Sequence, residues 1–142
     1  PIGLGARDTL RLEMGYNLYG NDIDDTTSPI EANLLWITKF ENKEKLIDRD
    51  FLMHQVQNGI KKRLTAFVMT ENAIPRHGYS VYNQSKELIG TITSGTYSPM
   101  LSYGIGMAYI PIEFSKPDTP IFIKIRNTLK SAQTCKLPFY KE

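Results

Sequence analysis

A chain of 142 residues, 41% of them hydrophobic, is long enough for one good core or two small ones, with roughly two thirds of the unfolded surface removed from water. Seventeen basic and fifteen acidic residues leave a formal charge of +2, so no long-range field argues for nucleic acid or an anionic membrane as partner. No run approaches the ~18 apolar residues of a membrane span, and the single cysteine, Cys135, has no partner for an internal disulfide and reads as a buried structural thiol. The chain opens on Pro1 and enters a helix within a few residues, as a chain does when an N-terminal part lies elsewhere.

Projected at about 100° per residue, positions 2–14 place Ile2, Ala6, Leu10 and Met14 on one face, the i, i+4 stripe of a helix packed against something. Arg7, Asp8 and Arg11 lie on the opposite half, where water solvates them. Glu13 falls inside the apolar stripe. A carboxylate removed from water costs several kcal/mol unless it is paired or hydrogen-bonded, so Glu13 is expected to have a donor partner. Two kinds of partner fit: an internal one, meaning an Arg, a Lys or backbone N–H groups, or a ligand presenting two parallel N–H donors.

Gly15 and Gly20, with Asn17, Asn21 and several acidic turn formers, make residues 15–29 a long loop. Asp22, Asp24 and Asp25 invite a calcium reading, but the Gly and terminal Glu of EF-hand spacing are missing, and a solvated acidic turn is expected instead of a metal site. Residues 33–40 alternate as a strand, with Leu34, Trp36 and Phe40 on one face and Leu35 and Ile37 on the other. Asp48 is a plausible N-cap for a short helix over Arg49–Asn58 that closes at Gly59.

From Lys61-Lys62-Arg63 onward helix signals vanish, which divides the chain into a first region, 1–61, and a second, 62–142. Strands are predicted over 64–69, 79–82, 88–94, 104–110, 120–126 and 130–137, a density that suggests a small all-β barrel or jelly-roll-like sandwich. The two histidines, His54 and His77, lack a Cys or Ser neighbour or a second ligand and read as structural or surface residues. Gly104-Ile105-Gly106 is too short for a dinucleotide fingerprint.

Several motifs nevertheless stand in a recognisable order. Gly3-Leu4-Gly5-Ala6-Arg7-Asp8-Thr9-Leu10-Arg11-Leu12-Glu13 leads to Leu18-Tyr19-Gly20 and, further on, Ser28-Pro29. Then come Trp36, Asp50-Phe51, Arg76-His77-Gly78-Tyr79, residues 90–99 and Lys136-Leu137-Pro138-Phe139. The chain resembles the aminomethyltransferases of the glycine cleavage system, the T-proteins, over essentially its whole length, and matches the back portion of a longer family chain. Ser28 stands where the family motif has Thr.

The resemblance implies an α+β remnant of the folate-binding region followed by the family's all-β C-terminal domain. It also implies a transferase that takes an aminomethyl group from the lipoyl arm of a carrier (H-) protein, releases ammonia and moves the carbon to tetrahydrofolate. Glu13 matches the family residue that accepts the pterin N3–H and 2-amino donors, a pair that one carboxylate can accept together. For the benzoyl-glutamate tail the basic candidates are Lys45 and Arg49, of which Arg suits a bidentate clamp better. Tyr19 is a candidate for the site lining, with packing as the alternative. No residue matches the family's catalytic carboxylate, so none of the catalytic residues is expected in this segment and the N-terminal part of the same enzyme is an expected partner. Mitochondrial matrix or bacterial cytoplasm is the implied compartment. The alternative is a non-catalytic folate-binding or carrier-docking module of a related folate-dependent dehydrogenase.

Overall fold

Alternation of apolar and polar residues shapes the second region, most clearly where a strand buries one side chain in two, as over Pro120–Ile125. The computed structural model describes residues 2–41 and 46–141. Its helices are α1 (Leu4–Glu13) and α2 (Arg49–Asn58), and its strands are β1 (Lys62–Met69), β2 (Ser80–Tyr82), β3 (Leu88–Ser98), β4 (Tyr103–Pro111), β5 (Pro120–Ile125) and β6 (Thr128–Cys135). All six strands pair antiparallel in the order β1-β4-β3-β2-β5-β6, and β6 returns to β1 through Ala66 opposite Cys135 and Met69 opposite Ala132. The result is a closed barrel with no free edge, the barrel alternative rather than the jelly-roll-like one.

Inside it lie Phe67, Ile92, Ile110, Ile121 and Ile123, while Phe122 and Lys124 of β5 point outward. Gly106 makes room for this packing: a Cβ there would sit 2.5 Å from the Phe67 ring. β1 and β4 are buried almost continuously because their outer faces are covered as well. Leu64 of β1 and Ile105 and Met107 of β4 form a second cluster with Leu12 of α1, over which Leu137 and Phe139 of the C-terminal segment close.

α1 packs on the barrel through a different face from the one its apolar stripe predicts. Leu12 and Glu13 are its buried residues, whereas Ile2, Ala6, Leu10 and Met14 are exposed, Leu10 by 55%. The helix ends at Met14 and Gly15 (φ 73°), with Gly15 N–H bonded to Leu12 O and Tyr16 N–H to Arg11 O, both at 2.8 Å. That is the paired C-terminal pattern in which a residue at positive φ terminates a helix. A Cβ at Gly15 would also come within 2.7 Å of the Leu137 side chain.

Residues 33–40 do not form a strand. Leu35–Ile37 is one 3-10 turn, its bonds local: Ile37 N–H to Leu34 O and Thr38 N–H to Leu35 O. A strand needs a neighbour to pair with, and the barrel is already closed without this segment. Trp36 is 76% exposed, so no private core forms around it. Asp48 precedes α2 as expected, but at φ 52° and without a side-chain capping bond.

Candidate functional site

Glu13 is 4% exposed at the C-terminal end of α1. Its main-chain carbonyl accepts the N–H groups of both Phe139 and Tyr140 at 3.0 Å, which fastens the C-terminal segment across the helix end. Its side-chain partner is an internal hydroxyl: Ser98 donates a hydrogen bond to Oε1. This is none of the internal partners that the sequence suggested. Among the described residues no Lys or Arg pairs with Glu13, and no second donor reaches its carboxylate. A carboxylate offers about four acceptor positions, so with one hydroxyl donor Glu13 retains capacity for further donors.

Ser98 reaches Glu13 because of a bulge in β3. Ile92 pairs with Ala108, both inside the barrel, but the next paired residue is Ser94, opposite Met107 of the outer face. The extra residue, Thr93, reverses the facing of everything after it. Ser94 and Ser98, which would otherwise follow Ile92 into the barrel, are thereby turned toward α1.

Ser94 enters a second network. Arg11 donates through Nη1 to Asp22 Oδ2 (2.7 Å), through Nε to Asp8 Oδ1 (2.8 Å) and through Nη2 to Ser94 Oγ (2.8 Å). Asp22 also accepts the Leu18 N–H at 2.9 Å and the hydroxyls of Thr93 and Ser94. Asp22 is 1% exposed and the Arg11 side chain only 12%, so neither is the solvated group that the sequence suggested. Asp22 fastens the 15–29 loop to α1 and β3. Asp24 does remain at the surface, its carboxyl held below the usual range by hydrogen bonds from Thr26.

The other site candidates are dispersed. Tyr19 is 66% exposed and donates its hydroxyl to Asp25 (2.6 Å), which raises the phenol above its ordinary value. Arg49 opens α2; its Nε donates to Phe40 O at 3.2 Å and its Nη1 lies 3.6 Å from the exposed Asp50 carboxylate. Lys45 lies outside the described residues. No hydrogen bond or ion pair joins Glu13, Tyr19 and Arg49 to one another among the described residues. His54 is exposed, and His77 is exposed with Nδ1 2.7 Å from Thr93 O. Cys135 sits half-buried in the barrel seam, where burial pushes its thiol up to about 11 and suppresses thiolate chemistry.

Beside the end of α1 runs a groove of about 630 Å³ whose walls include Met14, Tyr16, Leu34, Trp36 and Leu137. It is predominantly apolar, and Glu13 is not part of its lining. No helix among the described residues is long and apolar enough to cross a membrane.

Residues 62–141 match the glycine cleavage T-protein C-terminal barrel domain, and residues 1–42 match the GCVT N-terminal domain. The chain is 53% identical over 142 residues to an aminomethyltransferase of Flavobacterium psychrophilum, covering 100% of this chain and 39% of that one. It is 52% identical over 141 residues to an aminomethyltransferase of Phocaeicola vulgatus, covering 99% and 39% respectively. Among solved structures it is similar to the glycine cleavage system aminomethyltransferase T from Bartonella henselae, with a TM-score of 0.91 and 30% identity over 98% of this chain and 39% of that chain. The chain thus spans 39% of the length of these relatives.

Proposed function

Because this chain belongs to the glycine cleavage T-protein family, we propose that the full-length chain carrying it is an aminomethyltransferase that moves a one-carbon unit from an aminomethyl-lipoyl carrier protein to tetrahydrofolate and releases ammonia. The shared name of relatives about half identical to it supports the activity. The observation that carries the folate assignment is Glu13: a buried carboxylate with one hydroxyl donor and capacity for more. When bound, tetrahydrofolate supplies the nitrogen that receives the carbon.

The roles proposed for this chain's own residues are binding and orientation. Glu13 accepts the pterin N3–H and 2-amino donors, and its fixed negative charge selects a ligand edge made only of donors. Arg49 or Lys45 holds the tail carboxylates, and Tyr19 lines the approach. Arg49 would first have to release its bond to Phe40 O, which is 3.2 Å long. Residues 1–61 belong to the folate-binding region and 62–142 to the barrel domain, a division supported by the start of β1 at Lys62. The carboxylate nearest the reacting nitrogen comes from the remainder of the enzyme, and the lipoylated H-protein is its partner. The named relatives are bacterial, which favours the bacterial cytoplasm.

The test is formation of methylene-tetrahydrofolate by the full-length chain from aminomethylated carrier protein and tetrahydrofolate. Folate-dependent ammonia release is expected, with a loss of at least tenfold in kcat/KM for Glu13→Ala. A chain that binds no tetrahydrofolate and releases no ammonia would contradict the proposal.

A further inference from the structure

Ser98 is fully buried at the end of β3, on the face that the Thr93 bulge turns toward α1. Its oxygen accepts the Leu101 N–H at 3.1 Å, and its own proton goes to Glu13 Oε1. An amide N–H cannot accept that proton, so the Leu101 contact directs the hydroxyl toward the carboxylate. At the other end of the same residue, the Glu13 carbonyl is held by two amides. The residue is therefore fixed at its main chain and at one carboxylate oxygen.

We propose that Ser98 is a positioning residue for ligand recognition by Glu13: by holding Oε1 it sets the plane in which the carboxylate meets two adjacent N–H donors of a pterin head group. The inference rests on the reading of Glu13 as the folate-binding residue. A carboxylate oxygen has two lone pairs, so Oε1 accepts from Ser98 and from one ligand N–H while Oε2 takes the other. The terminal torsion of a free Glu is broad, and a carboxylate left to turn would lose orientational freedom on binding. Ser98 removes that freedom beforehand. The bulge in β3 is the device that delivers it, which connects an irregularity of the barrel to an acid on the helix.

The test is a double-mutant cycle in the full-length chain, read by calorimetric titration with 6-methyltetrahydropterin, the head group alone, and with para-aminobenzoylglutamate, the tail alone. Ser98→Ala is expected to weaken the head group about tenfold, because the carboxylate must then be ordered on binding, and to leave the tail unchanged. In a Glu13→Ala background the same substitution is expected to cost nothing further, because no carboxylate remains to orient. If Glu13→Ala weakens the head group and Ser98→Ala does not, the positioning role is overturned while the folate reading stands. Equal losses by Ser98→Ala in both backgrounds, or equal weakening of head and tail, also overturn it and mark a structural role. If Glu13→Ala itself changes nothing, both the folate reading and this inference fall. Should Ser98→Ala not fold, with the Leu101 N–H left unpaired, Ser98→Cys offers a weak donor and acceptor of similar size. It is expected to bind the head group more weakly than Ser98; unchanged affinity would overturn the role.

Discussion

Arg11 and Asp22 form an ion pair of 2.7 Å in which the acid is sealed from water and the guanidinium nearly so. Eleven residues apart, they hold a helix and the loop that follows it, and the hydroxyls of Thr93 and Ser94 tie both to β3. Substituting Asp22→Ala leaves Arg11 only the partly exposed Asp8 carboxylate and takes the buried acceptor away from the Leu18 N–H and the hydroxyls of Thr93 and Ser94. The expected cost is about 3–5 kcal/mol, read as a lower melting temperature or urea midpoint. A change below ~1 kcal/mol, the range of exposed pairs, would mean that the loop is fastened by something else.

Gly15 is fixed by two independent constraints, its left-handed φ of 73° and the Leu137 side chain 2.7 Å from any Cβ. Gly15→Ala is therefore expected to destabilise by about 2 kcal/mol, one part from backbone strain and the rest from displacing Leu137. Leu137→Ala in the same chain relieves the second part, so the double variant should lose less than the sum of the singles. Simple additivity in denaturant melts would show that Leu137 imposes nothing at this turn.

Glu71 gives the barrel an acid-sensitive tie between the β1–β2 connection and β6. The Ser131 N–H and, secondarily, Lys130 hold its carboxyl down to about 2, from an ordinary 4.5. A depressed folded-state value contributes stability above the unfolded value, and that contribution is lost as pH falls from about 4.5 toward 2. Glu71→Gln should flatten the fall of melting temperature across this window and leave the difference between pH 6 and 8 unchanged. An identical acid profile in the two proteins would contradict the tie.

The barrel was readable because period-2 alternation and Gly, Pro and Asn punctuation act locally: Ile121 and Ile123 face inward on the pattern alone. The covering of its outer face was not readable. α1 carries its apolar stripe on the side away from the barrel, and which face it buries depends on Leu12 meeting Leu64, Ile105 and Met107, contacts far apart in sequence. The alternation at 33–40 gave a false strand because a single short apolar run has no partner information in it. Glu13 is buried, as expected, but not with the stripe that marked it as an acid out of place: that stripe is exposed, and Glu13 is buried beside Leu12, while its partner Ser98 was not legible at all. A one-residue bulge decides which face Ser98 occupies, and nothing in Gly90-Thr91-Ile92-Thr93-Ser94 announces where the register slips. Asp22 was misread for a related reason: its partners Arg11, Thr93 and Ser94 converge only after the barrel has formed.

The most direct measurement is calorimetric titration of tetrahydrofolate into the full-length chain and its Glu13→Gln variant, with a melt of each apo protein alongside. Glutamine keeps one oxygen for the Ser98 hydroxyl but faces the ligand with an amide N–H in place of an acceptor. Tetrahydrofolate affinity should fall by roughly 2–4 kcal/mol while the apo melting temperature stays the same or rises slightly, since a buried charge has been removed without losing its hydrogen bond. Unchanged affinity together with a lower melting temperature would make Glu13 a structural carboxylate held by Ser98 and contradict its assignment to the folate site.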